Sequence, residues 1–324
     1  MNILITSAGR RVSLIEYFRK ELHDLFGLES KVLTTDLKPS LSPACRKSDE
    51  ALAIGRFTDH DYIDSLLEIC GEHQIKLIVP TIDTELDLLA NNYEVFLSAG
   101  VEVVISSPDF VQLCSSKYTT NQFFLERGME IARSIDRKNP TFPLFIKPVN
   151  GSSGKDLYYI RDASFISEYL KDERFIWMQY IDPADHQEYT IDLYYDREGI
   201  LKCVVPRIRL RVRAGETSKG LTERNDVVIN TVKDSLNFIS GARGCITLQL
   251  FRNYDHNTLI GIEINPRFGG GFPLSYLAGA NFPRWILKEY LLDGEIPYYD
   301  DWEDKLLMLR YDQEMIVHDF QYQQ

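Results

Sequence analysis

Glu263 and Asn265 stand two residues apart in Ile260-Gly-Ile-Glu-Ile-Asn-Pro-Arg-Phe-Gly-Gly-Gly271, a run that reads as a strand. Residues i and i+2 of a strand share a face. A carboxylate and an amide oxygen are thereby set side by side. Oxygen donors of this kind suit Mg2+, which takes one or two protein carboxylates and completes its shell with water and phosphate. Pro266 ends the strand, Arg267 supplies a cation, and Gly269 to Gly271 would let bare backbone approach an anion. Metal ligands, a cation and exposed amides so close together point to phosphate chemistry.

Four more groups have suggestive chemistry. Gln249, in Ile246-Thr-Leu-Gln-Leu250, alternates with apolar residues and could share a face with Glu263 and Asn265 on a neighbouring strand. Asn150-Gly-Ser-Ser-Gly-Lys155 joins two apolar strands, with Lys147 at the end of the first. Such a loop is either an ordinary hairpin or a cover whose N–H groups meet phosphate. It is not a GxxxxGK[ST] loop, and Gly9 stands alone where GxGxxG would need three glycines. Glu188 opens a strand, where it is either a hydrogen-bond acceptor for ribose hydroxyls or a solvated end charge. Arg207, Arg209, Arg211 and Arg213 fall at strict i, i+2 spacing, which predicts four guanidinium groups on one face. They form either a phosphate and carboxylate clamp, since Arg bonds both bidentately, or a salt-bridged outer face.

The elements that must position these residues fall into two textures. Over residues 1–110, strands at Asn2–Thr6, Lys31–Thr35, Ala51–Ile54, Lys76–Pro80 and Val101–Ile105 alternate with helices at Val12–Phe26, Tyr62–Cys70 and Leu86–Leu97. That alternation predicts a Rossmann-like parallel sheet, with ligands outside the carboxyl ends of its strands. Ser7 to Arg11, Asp36 and Thr81-Ile-Asp83 fall there. Arg10 and Arg11 are either carboxylate anchors or an exposed helix start. From residue 111 the pattern changes. A helix at Ser116–Arg127, strands at Leu144–Lys147, Asp156–Ile160 and Phe175–Ile181, and a helix at Ala163–Lys171 precede a hinge at Asp182–Asp185. A β-rich region follows: Glu188–Tyr195, Ile200–Val212, Cys245–Phe251 and Leu259–Asn265, with helices at Glu223–Ser240 and Phe282–Leu292.

Composition bounds the function. The 324 residues suit about two domains, and 44% hydrophobic content is ample for packed cores. A net charge of −12 disfavours nucleic acid or an anionic membrane as partner. The N-terminus lacks the basic start of a signal peptide, and no apolar run reaches about 18–20 residues. Five scattered cysteines without a CxxC pair fit free thiols in the cytoplasm. The six histidines show no metal-type pairing, and no Ser/His/Asp or Cys/His set is evident.

Together these motifs resemble the ATP-grasp superfamily, in particular a stand-alone synthetase half of the carbamoyl-phosphate synthase large subunit. The resemblance covers nearly the whole chain, and Glu263-Ile-Asn-Pro-Arg267 is its most specific part. It implies an α/β fold: a Rossmann-like domain at 1–110, a lid subdomain at 111–183, and a C-terminal subdomain carrying the Mg2+ and ATP site at 184–324. It further implies that Lys117 and Lys147 contact ATP, and that Gly151, Ser152, Ser153 and Gly154 form a phosphate lid. Gln179, Tyr180 and Ile181 would read the adenine, and Glu188 would hold the ribose. Gln249, Glu263 and Asn265 would bind two Mg2+ ions, with Mn2+ as a substitute. Arg267 would contact the transferred phosphate, and Arg213 falls near a substrate-side residue of the family. The implied activity is a carboxylate–amine ligase working through an acyl phosphate on small molecules, with a homodimer compatible with the first domain.

There are departures. The chain has no room for a second synthetase half or a glutaminase, and Gly269–Gly271 replaces a more polar stretch, so carbamoyl phosphate synthesis is not expected. A catalytically silent ATP-binding protein is the alternative. A nicotinamide oxidoreductase, suggested by the βαβ start and Asp36, is weakened by the missing glycines.

Overall fold

The computed structural model describes residues 1–150, 156–166, 172–213 and 215–321. Its first part alternates β1 (Asn2–Ile5), α1 (Val12–Phe26), β2 (Lys31–Asp36), β3 (Glu50–Ala53), α2 (Tyr62–Glu72), β4 (Ile75–Val79), α3 (Asp83–Asn91), α4 (Tyr93–Ser98) and β5 (Glu102–Val103). All five strands are parallel, in the order β3-β2-β1-β4-β5. A parallel strand covered on both faces must be apolar throughout. Ile3 and Ile5 accordingly enter one core with Leu14, Ile15 and Phe18, and Leu4 enters the opposite one with Leu66 and Leu86. The helix expected over Leu86–Leu97 is two helices. Asn92 separates them, its side chain bonding back to Leu88 O at 2.8 Å, the competition with the backbone that makes Asn a helix breaker.

Two short helices lead out of this sheet: α5 (Pro108–Ser115), which the sequence reading missed, and α6 (Lys117–Glu126). Each starts on a serine whose hydroxyl accepts a backbone N–H, Ser107 from Phe110 and Ser116 from Tyr118. After β6 (Glu130–Ile131) comes a three-stranded antiparallel sheet of β7 (Leu144–Pro148), β8 (Tyr158–Ile160) and β9 (Phe175–Gln179), with β7 central. Leu144, Ile146, Ile160 and Trp177 form its core. Of the helix expected at Ala163–Lys171, the described part is a single 3-10 turn, Ala163–Phe165, held by Asp162; the remainder from 167 on lies outside the described residues. So does the Gly/Ser loop, Gly151 to Lys155.

The largest element is a seven-stranded sheet. It is built from β10 (His186–Tyr195), β11 (Leu201–Arg213), β12 (Glu216–Thr222), β13 (Gly244–Asn253), β14 (Leu259–Asn265), β15 (Leu307–Leu309) and β6, in the order β15-β12-β11-β10-β13-β14-β6. Only the β14–β6 pair is parallel. Helix α7 (Asp226–Leu236) covers one face, burying Val228, Val232 and Leu236 against Ile191, Leu193 and Leu248. The alternate residues face the other way. Tyr194, Cys203 and Cys245 join the core shared with α1 and α9 (Phe282–Leu292), while Asp192, Thr190 and Gln249 continue the same face as a polar stretch, with Asp192 and Thr190 buried. Helix α8 (Pro273–Leu277) lies at that end. Among the described residues no helix is long and apolar enough to cross a membrane.

Candidate active site

Strand register places the predicted oxygen donors together. Gln249 pairs with Glu263 across β13 and β14, and Thr247 pairs with Asn265. Directly opposed residues share a face, so Gln249, Glu263 and Asn265 sit on the polar side. Asn265 Nδ2 donates to Glu263 Oε1 at 3.0 Å, which commits the amide nitrogen and turns the Asn265 oxygen into the group's acceptor. Gln249 Oε1 accepts from Arg209 at 3.1 Å. Among the described residues no three His, Cys, Asp or Glu side chains cluster as a metal site. The donor set is therefore one carboxylate and two amides. That suits a hard cation retaining water and phosphate ligands, and so fits Mg2+.

Cations face this group from two sides. Lys147, on β7, is buried. Burial drags its ammonium pKa down to about 8, the charge of Glu263 opposes that drop, and Lys117 adds to it. Lys117, in the first turn of α6, is held there by a backbone bond from its N–H to Val149 O at 3.2 Å. On the other side Arg267 follows β14 directly. It forms an ion pair with Asp83 at the start of α3, donates to Phe268 O at 3.1 Å and reaches Asn265 Oδ1 at 3.4 Å. Its Nε is buried with no partner among the described residues. The Arg267–Asp83 pair ties the large sheet to the carboxyl edge of the parallel one.

Gln179, Tyr180 and Ile181 leave the end of β9. The Gln179 backbone N–H donates to Arg133 O at 2.8 Å, and Arg133 Nε donates to its side chain at 3.0 Å. The Tyr180 ring lies 4.6 Å from that of Tyr159. Ile181 is buried with Ala132, Met178 and Ile260, between the three-stranded sheet and β14. Glu188 is the third residue of β10 and accepts from Arg209 Nη1 at 2.6 Å.

The arginine series is not the open clamp its spacing suggested. The β11–β12 register shifts between Arg209 and Arg211 and again between Arg211 and Val212, which breaks the alternation. Arg207 is wholly buried against Asp192, its Nε 2.8 Å from Oδ2 and its Nη2 2.9 Å from Oδ1. Arg209 is taken by Glu188 and Gln249, and Arg211 is exposed. Arg213 pairs with Asp312 on the surface, both side chains being more than two-thirds exposed, so the structure does not bring it to Lys147 and Arg267. The glycines also differ from the expectation of an anion cradle. A Cβ on Gly269 would lie 2.8 Å from Thr247 Oγ1, one on Gly270 2.7 Å from the Glu216 carboxyl, and one on Gly271 2.2 Å from Arg207 Nη1. They make room for side chains of the large sheet.

Sequence reading missed Asp83 as the partner of Arg267, and missed Asp192, Glu216 and Arg310 entirely. Only Asp83 had a signal, its place at a strand's carboxyl end. Asp36, the hint for a nicotinamide cofactor, accepts the N–H groups of Gly9 and Lys38 and so holds the β1–α1 turn. The five cysteines are free. Burial raises Cys70 to about 12 and Cys203 and Cys245 well above an ordinary thiol, which makes them poor nucleophiles.

A parallel βα sheet, a small antiparallel sheet and a large antiparallel sheet together make up an ATP-grasp fold. Residues 171–313 match the family model described as ATP-grasp in the biosynthetic pathway with Ter operon, and residues 3–104 match the PylC-like N-terminal domain. Among solved structures, a biotin carboxylase β,γ-ATP complex from Campylobacter jejuni aligns with TM-score 0.70 and 13% identity, covering 94% of this chain and 74% of that one. The biotin carboxylase domain dimer of Hydrogenobacter thermophilus 2-oxoglutarate carboxylase, with MgADP, ADP and bicarbonate, gives 0.68 and 12% over 94% and 72%. An L-amino acid ligase from Bacillus licheniformis gives 0.65 and 16% over 90% and 74%. No curated protein matches the chain in sequence. At such identities the likeness to solved structures establishes the fold.

Proposed function

We propose that the chain is an ATP- and Mg2+-dependent carboxylate–amine ligase. The observation that carries this reading is the convergence of Lys117, Lys147, Gln249, Glu263, Asn265 and Arg267 between the three-stranded sheet and the polar face of the large one. Such a set suits phosphoryl transfer, where catalysis is positioning plus charge stabilisation rather than covalent work by the protein. The names of the structural neighbours, an L-amino acid ligase and biotin carboxylases with nucleotides, support it.

In this reading residues 1–110 contribute to the substrate side, 111–183 form the lid and 184–324 carry the nucleotide site. The γ-phosphoryl group passes from ATP to a carboxylate oxygen, giving an acyl phosphate and ADP. An amine then attacks the acyl carbon, loses a proton and displaces phosphate, leaving an amide. Mg2+, when bound by Glu263, Asn265 and Gln249, neutralises phosphate charge. Lys147 and Lys117 counter the remaining charge on the phosphates. Arg267, oriented by Asp83, stabilises the oxygens of the acid as they acquire the phosphoryl group. Backbone groups of Gln179 to Ile181 receive the adenine and Glu188 receives the ribose, with Arg209 holding its carboxylate in place.

The test is phosphate release from ATP and Mg2+ across a library of amino acids paired with organic acids, for wild type and Glu263→Ala. Release that vanishes in the variant supports the assignment. Equal rates would remove Glu263 from the mechanism. Tight ATP binding by calorimetry, with no turnover for any pair, would favour a silent nucleotide-binding protein instead.

A further inference from the structure

Next to the candidate site, a small, partly open cleft of about 20 Å³ lies between the start of α1 and the glycine loop, lined by Arg10, Arg11, Phe268, Gly270 and Arg310. Arg310 immediately follows β15, and its backbone N–H donates to Ser218 O at 2.9 Å, which fixes its position. Its Nη1 donates to Glu216 Oε2 at 2.9 Å, while Arg10 lies 3.8 Å from Glu216 Oε1. Gly270 permits this arrangement, because a Cβ there would strike the Glu216 carboxyl.

The charges do not balance. Four guanidinium groups, Arg10, Arg11, Arg267 and Arg310, share two carboxylates, Glu216 and Asp83, with Asp83 paired to Arg267 and acting on Arg11 as well. Burial pulls the Arg11 pKa down to about 10, with repulsion from Arg267 acting the same way. Burial would raise the Glu216 carboxyl, yet Arg11 and Arg310 hold it below its ordinary value. The first turn of α1 adds its N-terminal dipole to the same space, with no acidic residue and no side-chain cap to offset it. An excess of about two positive charges within a chain of net charge −12 is a strongly local feature. Arginine cannot relieve such crowding by losing a proton at neutral pH. An anion can relieve it.

We propose that this cleft binds a second, non-reacting anionic group of the acid substrate, so that the substrate is at least a dianion: a dicarboxylate or a phosphorylated carboxylate. Arg310 and Arg10 grip that group, Glu216 orients both, and Arg267 is left for the reacting carboxylate. The proposal rests on the ligase reading only for its link to turnover, since the charge of the cleft is independent of it.

The experiment is calorimetric titration of the full chain with glutarate, 3-phosphonopropionate and the monoanion valerate, with and without AMP-PNP and Mg2+. The dianions are expected to bind about tenfold or more tightly than valerate, the worth of one charge-assisted hydrogen bond. Arg310→Gln and Arg10→Gln should each erase most of that preference, while Arg310→Lys keeps part of it. An unchanged AMP-PNP affinity in the variants shows that they remain folded. The ratio of glutarate to phosphonopropionate affinity identifies the second group as carboxylate or phosphate. Valerate binding as tightly as glutarate, no detectable binding of any of the three, or an undiminished preference in Arg310→Gln would overturn the proposal. Absence of AMP-PNP binding and of turnover would sink the ligase reading alone, because the acid titrations without nucleotide still report on the cleft.

Discussion

Asp192 and Arg207 lie on the same face of the same sheet as Glu263 and Asn265, yet the two groups have opposite fates. Asp192 and Arg207 are both fully buried, and their charges are spent on each other. Ser275 donates to Asp192 Oδ2 at 2.6 Å, and Thr247 reaches its other oxygen at 3.4 Å. Glu263 is only half-buried, and the bonds given to its group come from amides and a guanidinium. The contrast teaches that strand alternation decides which face a charge joins, while tertiary contact decides whether that charge stays available. A carboxylate of the protein reached Arg207 first; half-buried Glu263 instead lends its charge to Lys147.

The comparison breaks most severely at the sealed pair. Asp192→Ala leaves Arg207 buried and unpaired, and should lower the unfolding free energy in a urea titration by about 3–5 kcal/mol. A midpoint like that of wild type would show that the pair is not a structural lock. Glu263→Gln should do the reverse: kcat in the phosphate-release assay falls on the order of 10²–10³-fold, while the urea midpoint hardly moves. A shifted midpoint with normal turnover would exchange the roles of the two groups. Gly271→Ala forces a methyl group toward Arg207 Nη1 and should cost about 1–3 kcal/mol of stability, measured in the same titration.

The smallest effect concerns Lys147. With its pKa near 8, the ammonium is charged below that pH and lost above it. Nucleotide affinity should therefore fall as pH rises through about 8, by up to about tenfold for one lost charge contact. Calorimetric titration of AMP-PNP between pH 6.5 and 9.5 checks this. Lys147→Arg, which stays protonated throughout, should flatten the profile; a slope that survives in the variant would assign it to another group.

Much of the candidate site's strand geometry was legible because its information is local. Glu263, Asn265 and Gln249 follow from period-two alternation, and Pro266 marks where the strand stops. The parallel sheet announced itself through short apolar runs such as Ile3-Leu-Ile5 separated by helical spacing. What was hidden depends on partners far away in sequence. Nothing near Arg207 says that Asp192 seals it, and the same i, i+2 spacing served Arg213, whose partner Asp312 comes from the end of the chain. The mostly polar β12 and the three-residue β15 lack the long apolar runs that betray strands, so Glu216 and Arg310 had no frame in which to be noticed. Gly269 to Gly271 had two physical explanations, close approach to a ligand or to the protein's own side chains, and sequence alone cannot separate them.

Strand β15 is three residues long and joins the sheet through Leu307, Met308 and Leu309, opposite Leu221, Gly220 and Lys219. It covers the outer side of β12, and the very next residue is Arg310. Peeling it away would expose a row of unpaired amide groups, the kind of border along which chains associate edge to edge, and would withdraw a guanidinium from the cleft in the same movement. Colloidal behaviour is thereby linked to occupancy: an anion that grips Arg310 also fastens the strip that guards the sheet against aggregation.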